Sequence, residues 1–96
     1  MTTREEILAL ARQFPVLQET GYFDDIKPED WDPDVVDAWG GKADDGIRHA
    51  VAFILQVWGL DVRWKVGKFD VVNAALVWEK ENTDVVMKWM EKPFLL

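Results

Sequence analysis

Residues 45–58 read DGIRHAVAFILQVW, and this stretch constrains the fold more than any other. Ile47, Ala50, Val51, Ile54, Leu55 and Trp58 recur at the spacing of one helix face. Ala52, Phe53 and Val57 make the other side apolar too. A helix apolar nearly all round must be covered on most faces. The spacing therefore predicts a central buried helix, capped by Asp44 or Asp45 and stopped at Gly59. His49 and Gln56 form its single polar strip.

Shorter helices are expected around it. Thr3 and Glu6 can form a capping box ahead of Ile7, Leu10, Ala11 and Phe14, and Pro15 closes that helix. Residues 15–27 read as irregular, with a turn at Gly21, and PEDW at 28–31 can make one helical turn. Asp32-Pro33 is an N-cap followed by proline at the first helical position. Val35, Val36 and Trp39 should face inward there, and Gly40-Gly41 should end the helix. Asp70 can cap a helix through Val71, Val72, Ala75, Leu76 and Trp78. Asn82 or Thr83 can cap a last one carrying Val86, Trp89 and Met90. Pro93 ends it, and Phe94, Leu95 and Leu96 are expected to fold back as an apolar tail. The exception is residues 60–66, LDVRWKV, which alternate apolar and polar as a strand does, without a second run to pair with. The expected fold is all-α: residues 1–96 as one small domain, about five short helices around a central one, with a short extended segment at 60–66.

Ninety-six residues suffice for one core and no more. The six tryptophans can anchor that core and leave some over for an interface. With no cysteine, disulfides and thiol chemistry are excluded. With no serine either, the hydroxyls are Thr2, Thr3, Thr20, Thr83 and Tyr22, a thin supply for nucleophilic catalysis. Gly40-Gly41-Lys42 lacks the strand and the Ser/Thr of a phosphate loop. Asp45 and His49 share a helix face but find no third metal ligand. Arg63, Lys65 and Lys68 alternate with Trp64 and Phe69, which reads as the charged face of an extended segment rather than a nucleic-acid patch. Residues 1–6 show no basic region leading into an apolar one, so no signal peptide is expected. No run is long enough to span a membrane. These features suit a cytoplasmic, non-enzymatic protein without cofactor or metal.

The net charge of −7 is concentrated. Residues 19–45 carry ten acids against Lys27 and Lys42, while residues 46–96 are close to neutral. Within that segment lies DWDPDVVDAWGG, residues 30–41. As a calcium loop it places Asp30, Asp32 and Asp34 at positions 1, 3 and 5. Val35 then stands where the glycine of the sharp turn belongs, and Gly41 where the bidentate glutamate belongs. As a helix start it accounts for Asp32 and Asp34. It leaves Asp24, Asp25, Glu29, Asp30 and Asp37 unexplained, and crowding like charges costs stability. The excess points to a basic partner surface and away from direct nucleic-acid binding. The expected partner-binding residues are Asp24, Asp25, Glu29, Asp30, Asp34 and Asp37, with Trp31 and Trp39 as aromatic anchors. The function expected is a small acidic interaction protein, a polyanion mimic such as a phage or mobile-element inhibitor. The alternative is a homo-oligomer, with a homodimer its simplest form, associating through Trp64, Trp89 and the tail.

The segments FDVVNAALVWEKENTDVVMKWMEKPFLL and IRHAVAFILQVWG resemble small uncharacterised proteins of bacteria and their phages. Those end in a similar pattern, FDV…A..VWD..H…F..W…P. The resemblance covers about half of the chain through its apolar and tryptophan placement. It implies a bacterial or phage accessory protein, and no function travels with it.

Overall fold

A computed structural model describes all 96 residues. The chain is all-helical, without a strand. Six helices follow one another: α1 (Thr3–Ala11), α2 (Pro15–Gln18), α3 (Pro33–Gly41), α4 (Asp45–Trp58), α5 (Val71–Val77) and α6 (Lys80–Glu91), with a 3-10 turn at Pro28–Asp30.

Helix α4 is central, as its composition requires. It packs against α1, α2, α3 and α5, and every residue from 49 to 55 is buried. Phe53 is its aromatic hub, with ring centroids 5.8 Å from Phe14, 5.1 Å from Phe69 and 5.3 Å from Trp89. Gln56, half-buried, takes the backbone N–H of Phe69 at 2.9 Å and ties the following loop to the helix. The tail folds back only at its last residue: Leu96 N–H donates to Val57 O at 2.9 Å, while Phe94 and Leu95 stay exposed.

Asp32 caps α3 by accepting from Asp34 N–H at 3.0 Å, with Pro33 as the first helical residue. Asp70 caps α5 in the same way, accepting from Val72 and Asn73. Both are local Asx signals, readable within one turn.

Several local expectations are corrected. The capping box of α1 lies one residue earlier, with Thr2 and Glu5 exchanging bonds of 3.2 and 3.0 Å. Pro15 begins a further helical turn, α2, as well as ending α1's reach. Gly40-Gly41 does not stop α3, which runs through both. Gly40 is there for contact: a Cβ on it would lie 2.7 Å from Val51 Cγ1, so it lets α3 and α4 approach. Asp44 stands at the N-cap of α4 without a side-chain cap bond. Asn82 and Thr83 lie inside α6, and buried Asn82 instead accepts Val16 N–H at 3.0 Å. Val35, Val72, Leu76 and Met90 are exposed rather than in the core.

Residues 60–66 are not a strand. Val62 N–H turns back to Gly59 O and Gly67 N–H to Trp64 O. The Trp64 indole N–H also donates to Gly59 O at 3.1 Å. Leu60 and Val62 stay exposed while Val66 is buried. A ladder needs a second strand, and the backbone groups here find turns and one carboxylate instead.

Candidate partner-binding surface

The acidic segment runs from the end of α2 to the start of α4. Arg12, at the end of α1, holds its first third: the guanidinium donates to Phe23 O at 3.2 and 3.0 Å and to Ile26 O at 2.8 Å. Arg12 thus serves carbonyls and leaves the neighbouring carboxylates unneutralised. Nine of the segment's ten acids are exposed. The chain has two ion pairs, Arg48–Asp45 and Lys80–Asp84, and only the first touches the segment. Glu19, Asp24, Asp25, Glu29, Asp30, Asp32, Asp34 and Asp44 are exposed and without a cationic partner.

Of the expected site residues, Asp24, Asp25, Glu29, Asp30 and Asp34 face solvent. Three do not fit the expectation. Asp37 is 5% exposed, and its two oxygens accept Lys65 N–H at 2.8 Å and Val66 N–H at 3.0 Å. It is a structural bracket, with nothing left for a partner. Trp31 is 4% exposed and packs edge-on against Trp58 at 5.3 Å, so it is a core residue. Its indole N–H is buried without an acceptor. Trp39 is half-buried, with one face covered by Tyr22 stacked at 3.9 Å and 14°.

The aromatic offered to the surface is Tyr22, which the sequence reading passed over. It lines a depression of about 390 Å³ with Ile26, Val35 and Val36 as its apolar wall and Asp30 and Asp32 as its acidic edge. Burial, with the Asp32 charge, pushes the Tyr22 phenol above its ordinary value. The available signal was apolar residues standing inside a strongly acidic run: Tyr22, Ile26 and Val35.

This arrangement suits the side chain of arginine or lysine. The methylene stem can lie on the apolar wall while the charged head meets Asp30 and Asp32. Asp32 has one oxygen committed to the α3 cap and a second that is not. Outside the depression, Asp45 pairs with Arg48 at 3.5 Å instead of with His49. No three His or acidic side chains converge to hold a metal ion. No helix is long and apolar enough to cross a membrane. Comparison with protein-family models, with curated proteins and with solved structures returned no match.

Proposed function

We propose that this protein is a non-enzymatic interaction protein that docks on a basic surface of a partner protein. Asp24, Asp25, Glu29, Asp30 and Asp34 steer the encounter, and the depression at Tyr22 receives a basic side chain. Carboxylates presented this way stand in for phosphates, which is the chemistry of a polyanion mimic. The observation that supports this most is the eight exposed acids without an ion pair, two of which, Asp30 and Asp32, edge a depression with an apolar wall. A fold gains nothing from leaving so many like charges together.

The test is capture from bacterial lysate at low and high salt. The bait is compared with a variant carrying Asp24→Asn, Asp25→Asn, Glu29→Gln, Asp30→Asn and Asp34→Asn. Asp32 and Asp37 are left intact because they hold the fold. A partner lost from the variant, and displaced from the wild type by salt or heparin, is expected. Equal retention by both baits at low salt overturns the reading.

One observation favours homo-oligomerisation as a second reading. Helix α5 carries no charge, and Val72 and Leu76 are 68% and 78% exposed. That face adds to the tail, where Phe94 and Leu95 are 41% and 56% exposed, while the Trp64 and Trp89 indole N–H groups donate to carbonyls of their own chain. A dimer seen by light scattering and dissolved by Leu76→Lys would favour it.

A further inference from the structure

His49 lies one turn inside α4 and is 7% exposed. No protein group hydrogen-bonds to its ring, and neither ring nitrogen is sealed from solvent. What it exposes opens into a cleft of about 410 Å³ between the start of α4, residues 66–70 and α5.

The groups facing this cleft differ in how far they are committed. Asp70 accepts from Val72 N–H, Asn73 N–H and Asn73 Nδ2 at 2.7–3.1 Å, so its carboxylate is occupied. Arg48 makes only two long bonds, to Val66 O at 3.4 Å and to Asp45 at 3.5 Å. A guanidinium has five N–H donors, so most of its capacity is open. Lys68 is exposed and forms no ion pair. The uncommitted groups are therefore a guanidinium, an ammonium and an imidazole, beside the exposed Asp45 carboxylate, which is held only by Arg48 at 3.5 Å. Leu76 and Val77 add an apolar wall.

The geometry points to a binding site for a small anionic molecule bearing a phosphate or carboxylate group, held by Arg48 and Lys68 over His49. Arg48 offers a forked donor pair to the oxygens, Lys68 a point charge, and His49 a hydrogen bond from the cleft floor. The site belongs to the near-neutral half of the chain. It is independent of the acidic surface, with Asp45 the only residue of the acidic segment near it.

His49 is the sole histidine, so its ring protons report on the site without ambiguity. The experiment follows them by NMR while inorganic phosphate, or separately acetate, replaces chloride at constant ionic strength. Saturable movement is expected with at least one of the two anions, together with a rise in the His49 pKa, since a bound anion favours the imidazolium. The tighter of the two identifies the anionic group. Arg48→Met should weaken binding by about tenfold or more, as loss of a charge-assisted bond does. Lys68→Gln, at an exposed position that cannot disturb the fold, should weaken it several-fold and serves alone if Arg48→Met does not fold. Movement no larger than in chloride for both anions, or binding unchanged by the folded variants, overturns the assignment.

Discussion

The Asp37 carboxylate accepts the backbone N–H of Val66 at 3.0 Å across 29 residues of chain, and its other oxygen takes Lys65 N–H at 2.8 Å. One side chain on α3 thereby replaces the ladder partner that residues 60–66 lack. Asp37→Ala leaves two N–H groups without an acceptor in a poorly solvated place. The expected loss is about 3 kcal/mol in urea denaturation. Asp34→Ala, at an exposed helix start, should cost under about 1 kcal/mol. Similar losses for the two would show that Asp37 is not a bracket.

Gly40 and Gly41 should respond oppositely to alanine. At Gly40 the new Cβ meets Val51 Cγ1 at 2.7 Å and Val51 Cβ at 2.9 Å, and the latter cannot rotate away. Overpacking of about 1–3 kcal/mol exceeds the helix-propensity gain of about 1 kcal/mol. At Gly41 the nearest atom is Lys65 Cβ at 3.9 Å, an ordinary contact. Gly40→Ala should therefore lower Tm, and Gly41→Ala should leave it unchanged or raise it.

The unpaired acids predict a salt response. Screening of surface charges shortens to about 10 Å at 0.1 M salt. Wild-type stability should rise as sodium chloride goes from low to moderate concentration. The five-fold neutralised variant should be at least as stable at low salt, with a flatter response. Parallel curves for the two would mean that the acids do not repel one another measurably.

His49 predicts a pH dependence. Burial, aided by the Arg48 charge, holds its pKa below the ordinary 6.5, while Asp45 and Asp70 oppose this more weakly. The unfolded chain therefore binds the proton more readily. Stability is complete above pH 6.5 and declines as pH falls from there through the folded pKa. Urea midpoints measured from pH 7.5 to 5 should fall for the wild type. They should stay flatter for His49→Gln until the carboxylates titrate, near pH 4 and below.

Signals confined to one or two helical turns were legible in the sequence. The burial of α4 follows from apolar residues on all its sides. The starts of α3 and α5 follow from Asp32-Pro33 and Asp70, and the exposed acids from their sheer number. Each of these is decided by neighbours within a few residues, through helical periodicity or an aspartate reaching its own backbone.

Tertiary structure alone decided the rest, because those roles depend on groups far apart in the chain. Asp37 looks like its acidic neighbours until α3 and residues 65–66 are brought together. Asn82 looks like a cap until Val16 is placed beside it. Gly40 looks like a stop until Val51 is seen against it, and Trp31 looks like an anchor until Trp58 covers it. Tyr22 looks like one more hydroxyl until it is found stacked on Trp39 and lining the depression. Composition determined that this chain is a small acidic helical protein. Which acids remain exposed was determined by the packing of α3 and the 60–66 loop around α4, since burial of a carboxylate is set by whichever distant N–H groups the fold places within its reach.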